Sequence, residues 1–236
     1  MESNLPIIET PNALLSQAVG DYIKSGEEKL ITIWLNGIKD TPYKASYFMR
    51  SYEEMPDYEK IALSLCEGDI LDIGAGAGAH SIFLQKKNKA VTALESDPGF
   101  AKLLTETLKT EVIHEEFFIF QPKKTFDTIL LLMNGLGIAQ STKKLPEMFD
   151  KLNLLLSKKG RILVEITDYK YSPEYDPATM HNPEITFRLM YNKIFSEEFS
   201  WLYPDFEMVK EQCERLKLKH RILYQEDETI LLEISR

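Results

Sequence analysis

ILDIGAGAGAHSIFLQ, Ile70–Gln85, is the stretch around which the chain is organised. Ile70-Leu71-Asp72-Ile73 reads as a short buried strand with one acid near its end. Gly74, Gly76 and Gly78 follow at every second position, and Ala79, Ile82 and Phe83 then recur at helical spacing. Strand, glycine turn and helix form the unit in which backbone comes close to a ligand and helix N–H groups point at it. A polyphosphate cradle wants positive potential and a lysine among its glycines. Here Asp72 precedes the first glycine and the turn holds no lysine. That suits a ligand with an ammonium group and hydroxyls.

The next strand agrees. Ala90–Leu94 (AVTAL) is β-rich and ends in Glu95-Ser96-Asp97, an acid where a ribose diol would sit. The spacing is G-x-G-x-G, with Ala79 where the nicotinamide fingerprint has its third small residue, so the turn leans away from that cofactor without excluding it. A helix over Pro98–Leu108 and strands over Glu111–His114, Asp127–Met133 and Arg161–Ile166 continue the alternation, with a helix at 143–156. The run Asp127–Met133 is nearly all apolar, as in a strand buried on both faces. Such alternation gives a parallel, doubly wound sheet with ligands at the carboxyl ends of its strands.

Outside that core the rhythm changes. Pro11–Ile38 reads as helical, and Tyr43–Tyr52 as a linker carrying aromatics and Arg50. A short helix runs from about Pro56 to Gly68. After Asp168, Tyr169–Pro183 reads as a loop, Ile185–Asn192 with Phe195–Tyr203 as a hairpin, and Phe206–Lys217 as a helix. His220–Gln225 with Thr229–Ile234 reads as a last hairpin.

DILDIGAGAG followed by TALESD (Thr92–Asp97) resembles the first two motifs of class I S-adenosylmethionine-dependent methyltransferases. The resemblance extends through YFMRSYEEMPDYEKIALSLCEG (Tyr47–Gly68), FDTILLLMNGLGIA (Phe126–Ala139) and LLSKKGRILVEITD (Leu155–Asp168). It implies an α/β, doubly wound, mostly parallel seven-stranded Rossmann-like sheet with an antiparallel C-terminal hairpin and an N-terminal helical extension. The terminal hairpin is similar to the family's last two strands, where nicotinamide folds continue parallel. The implied domains are 1–68, extension and lid, and 69–236, the cofactor domain with a hairpin inserted at about 171–203.

The resemblance also implies S-adenosylmethionine as cofactor and S-adenosylhomocysteine as product, with methyl transfer to an O, N or S acceptor. A nicotinamide-dependent oxidoreductase and a non-catalytic cofactor-binding protein on the same fold are the alternatives. Cofactor contacts are expected from Gly74, Gly76, Gly78, Glu95 and Ser96. Asp72 either approaches the methionine end or orders the glycine loop's own N–H groups. An acid after the third strand would meet the adenine; Glu116 is favoured over Glu115, with Phe117 flanking the ring or sitting in the core. Asn134 closes the fourth strand where relatives line the methyl-transfer site. Arg50, in the lid segment, either pairs with the cofactor's carboxylate or lies on the surface. His80, at a helix start after the glycine turn, either meets cofactor or substrate or is a capping or packing residue, the latter being favoured. No catalytic residue is assigned, although Glu165, Asp168 and Tyr169 end the fifth strand. The Asn/Asp-Pro-Pro-aromatic motif of the family's nucleic-acid and glutamine N-methylating members is missing at Met133-Asn134-Gly135.

Composition sets the remaining expectations. Hydrophobic residues at 44% and charged ones at 28% are ordinary for a soluble globular chain. A net charge of −9 argues against a nucleic-acid backbone as main partner and towards a small-molecule acceptor. Aromatics at Tyr43–Tyr52 and Tyr169–Tyr203 would then either line its pocket or pack on the core or a dimer contact. His80, His114, His181 and His220 are scattered and Cys66 and Cys213 form no pair motif, so no metal is expected. Two separate thiols, no signal-like start and no spanning apolar run suggest a cytoplasmic protein without a membrane segment. A homodimer stays open.

Overall fold

The computed structural model describes residues 7–171 and 182–236; Tyr175 and His181 lie outside them. Strand β1 (Ile7–Glu9), helix α1 (Pro11–Ser25) and strands β2 (Leu30–Leu35) and β3 (Ile38–Lys44) precede α2 (Asp57–Ser64). Then come β4 (Asp69–Ile73), α3 (Ala79–Lys86), β5 (Ala90–Glu95), α4 (Pro98–Thr107), β6 (Glu111–His114) and β7 (Phe126–Leu131). The chain continues through α5 (Leu145–Leu155), β8 (Leu156–Thr167), β9 (Glu184–Tyr191), β10 (Ile194–Ser196) and β11 (Phe199–Leu202). It ends with α6 (Phe206–Leu216), β12 (Lys219–Glu226) and β13 (Thr229–Ser235).

Seven strands form the main sheet in the order β12-β13-β8-β7-β4-β5-β6. The strands from β4 to β8 pair in parallel, and β13 runs antiparallel to both β8 and β12. Order reverses at β4, which has β5 on one side and β7 on the other, so a crevice opens at its carboxyl end. Both faces of the sheet are covered. Leu71, Ile129 and Val164 pack towards α5 and α6, while Ile70, Leu130 and Leu163 pack towards α2 and α3. The fold class read from the sequence is therefore the one observed.

A second sheet corrects the expectation for the N-terminal region. Its strands run β1-β10-β9-β2-β3, with β11 also paired to β9. The helix expected over Pro11–Ile38 stops at Ser25, where left-handed Gly26 (φ 69°) donates its N–H to Tyr22 O. LITIWL then pairs as β2 with β9, from Thr32 opposite Met190 to Leu35 opposite Phe187. Leu30, Ile33, Trp34 and Ile38 fit a helical stripe equally well, and the strand that decides the matter lies about 150 residues away. Ile31 and Ile33 are buried with Leu14, Ala18 and Val19 of α1. Lys158, Lys159 and Gly160, ahead of the strand expected over Arg161–Ile166, are part of β8, where a register shift against β7 absorbs them. Among the described residues, no helix is long and apolar enough to cross a membrane.

Candidate active site

The glycine turn between β4 and α3 sits on the switch point. Gly74 N and Ala75 N both donate to Leu94 O, at 2.9 and 3.2 Å, which ties the turn to β5. Gly76 is left-handed (φ 54°), and its N–H donates to Glu95 Oε2 at 2.7 Å. A Cβ on Gly76 would meet nothing closer than Gly74 O at 3.9 Å, so the loop faces open space. Gly78 serves packing instead: with φ 90°, a Cβ there would fall 2.6 Å from Leu104 Cδ2 on α4.

Glu95 is buried at the tip of β5, and its Oε1 accepts from Asp97 N at 2.8 Å. Burial pushes its carboxyl above the ordinary range, against the Asp97 and Gly76 N–H bonds. Each oxygen keeps capacity for a second hydrogen bond. Ser96 follows, with its carbonyl 3.0 Å from His114 Nε2. Asp72 is buried and accepts from Ser81 Oγ at 2.6 Å rather than from the loop N–H groups. Burial raises its pKa, and the His80 and Ser81 side chains work against that.

Arg50 is neither on the surface nor free. Its fork lies on Glu59 of α2, with Nε 3.2 Å from Oε2 and Nη2 bonded to Oε1, while Nη1 donates to Tyr47 O at 2.7 Å. The guanidinium also lies 4.3 Å from the centre of the Tyr47 ring. His80 Nε2 stands 3.2 Å from the same Glu59. Burial opposes the Glu59 charge, yet His80 and Arg50 outweigh it and hold the pKa below the ordinary value. Sequence reasoning missed Glu59. Its signal was an acid beside Tyr58 and Ile61 in a short helix that otherwise buries apolar residues.

The end of β7 turns through two successive left-handed residues, Met133 (φ 55°) and Asn134 (φ 53°). Strained backbone of this kind clusters at functional sites. Asn134 N donates to Glu165 Oε2 at 2.6 Å, its Nδ2 donates to Thr167 Oγ1, and its Oδ1 accepts from Thr167 N. Trp201 Nε1 donates to Asn134 O at 3.1 Å, which clamps β11 of the second sheet onto this loop. Glu165, 3% exposed, has no ion pair among the described residues. Burial pushes its pKa up to about 7, with Glu59 adding to the rise and the Asn134 N–H opposing it.

Between the two sheets lies a cavity of about 590 Å³, walled by Tyr43, Tyr47 and Phe48 on one side and Phe187, Phe199 and Trp201 on the other. Asn134 and Glu165 form part of its inner wall. The lid segment and the inserted strands thus converge, although not every aromatic joins. Tyr52 stacks on Phe83, Tyr191 bonds to Asp21, and Tyr171 is exposed. Glu115 is half-buried after β6, whereas Glu116 is exposed and its carbonyl caps the turn to Ile119 and Phe120. Phe117 is in the main core, edge-on to Phe118, which is the packing position the sequence left open for it. Among the described residues, no group of three or more His, Cys, Asp or Glu could hold a metal.

The family model described as ribosomal RNA adenine dimethylase matches residues 59–162. A solved S-adenosylmethionine-dependent methyltransferase from Bacteroides fragilis, in complex with S-adenosyl-L-homocysteine, is 26% identical with a TM-score of 0.84, and the match covers 98% of each chain. The chain is a class I S-adenosylmethionine-dependent methyltransferase. Two more distant structures share the methyltransferase's fold. One is from Clostridium acetobutylicum, 16% identical over 79% of this chain and 92% of that one, with a TM-score of 0.57. The other is CcbJ from Streptomyces caelestis, 11% identical over 80% and 97%, with a TM-score of 0.63. A search of curated proteins returns no match. For this methyltransferase, the match to a family described by an RNA substrate overturns the expectation of a small-molecule acceptor with nucleic acid set aside. That expectation rested on net charge, a sum over the whole surface that says little about how one base is gripped.

Proposed function

We propose that the protein methylates a nitrogen on a flat, uncharged ring held in the aromatic cavity, the adenine of an RNA being the acceptor class. The observation that carries the reading is the cavity itself, lined by Tyr47 and Trp201 and reaching Asn134 and Glu165 beside the carboxyl ends of β7 and β8. Aromatic walls hold bases by stacking, and enzymes acting on a base first take it out of its stack. The family model matched over 59–162 supports the choice of base.

The residues present fit S-adenosylmethionine. Gly76 leaves space where a side chain would stand, and buried Glu95 lines up with it. In this reading Gly74, Gly76, Glu95 and Ser96 hold the nucleoside part, and Gly78 shapes the turn by its close packing on Leu104. Glu115 takes the adenine in place of Glu116, being the half-buried acid of the two. Asp72 and Asn134 lie towards the methionine and methyl end. Arg50 acts by fixing Glu59 and the lid, since its fork is already occupied. When bound, the cofactor supplies a methyl activated by its sulfonium charge. The chain's part is to align the acceptor and exclude water, a task for the cavity-lining segment Tyr43–Phe48 and strands β9 and β11. Unmodified ribosomal RNA transcript incubated with methyl-labelled cofactor, then digested to nucleosides, should yield label in N-methylated adenosine. Label confined to protein, or no label in any nucleoside, overturns the proposal.

A further inference from the structure

We infer that Glu165 selects the methyl acceptor, by accepting a hydrogen bond from the acceptor's N–H at the inner wall of the cavity; this rests on the base reading above. The other buried acids near the site are already answered. Glu59 holds Arg50 and has His80 beside it, Asp72 holds Ser81, and Glu95 takes the Gly76 and Asp97 N–H groups. Asn134's amide is engaged at both ends by Thr167. Glu165 has one firm partner, Asn134 N on Oε2, while Oε1 reaches Thr167 Oγ1 only at 3.5 Å. It nonetheless lines the cavity and is 3% exposed.

A buried acceptor oxygen held by a single long hydrogen bond discriminates strongly, because a ligand without the matching N–H leaves it under-satisfied. The groups facing it are Tyr58 and Glu59 from α2, Tyr47 from the segment before, and His80 from the start of α3. Arg50 stands behind Glu59 and is committed to it. Just after β8, Asp168 accepts from Lys170 N and Phe206 N. On β13, the residue opposite is apolar Leu231, and Thr229 lines the cavity. Of these groups, Arg50 and His80 sit against Glu59 and neither is paired with Oε1, so a neutral donor is what it fits. An exocyclic amine is such a donor; a ring carbonyl at the same place is not.

The test is a titration followed by Trp201 fluorescence, in a Trp34→Phe background and with S-adenosylhomocysteine saturating so that the donor site is blocked. Trp34 packs on Phe195 and does not line the cavity. Adenosine, inosine and N6,N6-dimethyladenosine are the probes. Adenosine should bind at least tenfold more tightly than the other two, and its affinity should rise between pH 6 and pH 8 as Glu165 ionises. In Glu165→Gln an amide oxygen can serve Asn134 N while the NH2 faces the cavity, so the preference should turn to inosine. Adenosine binding without discrimination, a flat pH dependence, or an unchanged preference in Glu165→Gln overturns the role of Glu165 alone. Binding of no nucleoside at all overturns the base reading with it. If Glu165→Gln fails to fold, judged by calorimetry with S-adenosylhomocysteine, the probe and pH comparisons on the parent protein decide.

Discussion

Glu165 is an acid kept where its charge is disfavoured, and that has a consequence for stability. Its folded pKa is raised above the usual carboxylate value to about 7. The folded chain therefore holds a proton that the unfolded chain has released, and stability falls as pH rises from about 4.5 to about 7. Glu165→Gln removes that loss and keeps an oxygen for Asn134 N. Urea denaturation should find the variant close to the parent at pH 4.5 and more stable by roughly 1–3 kcal/mol at pH 8. A parent advantage that grows with pH would contradict the assignment. At Gly137 the constraint is steric: an added Cβ would fall 1.9 Å from Trp201 Nε1. Gly137→Ala should cost about 1–3 kcal/mol by overpacking and release the Trp201 ring, visible as a changed emission maximum. Of the residues read from the sequence, the glycine turn and Glu95 were legible because φ and charge are local properties. Glu59 and Glu165 were not, because what distinguishes them is the partners that tertiary contacts supply or withhold.

At the scale of elements, the strands of the main sheet announce themselves by runs such as FDTILLLM, buried on both faces. The second sheet does not. β2 sits in a stretch whose apolar spacing fits a helix, and only β9, folded onto it from far along the chain, makes it a strand. The two readings give different mutational outcomes. In the helix, Ile33 and Ile38 would share one buried stripe. In the sheet, Ile33 is buried while Ile38 is 74% exposed on β3. Ile33→Ala should therefore cost about 2–5 kcal/mol, and Ile38→Ala less than about 0.5 kcal/mol, in denaturant unfolding. Equal losses would return the segment to a helix. β9 is the strand shared by β2, β10 and β11, so the strands from Glu184 to Leu202 are not an appendage that can be removed while β2 and β3 keep their place.

At the scale of the whole molecule the two sheets divide the work in this account. The main sheet presents the glycine turn and Glu95 for the donor, and the second sheet closes an aromatic cavity over Asn134 for the acceptor. Alternation of strand and helix made the first half visible in the sequence. The second half depends on strands from both ends of the chain meeting, which periodicity does not encode. If the division is right, donor binding should be sensitive to one sheet and indifferent to the other. Calorimetric titration of S-adenosylhomocysteine into Glu95→Ala and Tyr43→Ala tests this directly. Glu95→Ala removes a charged acceptor from the ribose site and should weaken binding by about 1–3 kcal/mol. Tyr43→Ala, at the outer part of the acceptor cavity, should leave the dissociation constant unchanged. Undiminished affinity in Glu95→Ala, or an equal loss in both, would contradict the account.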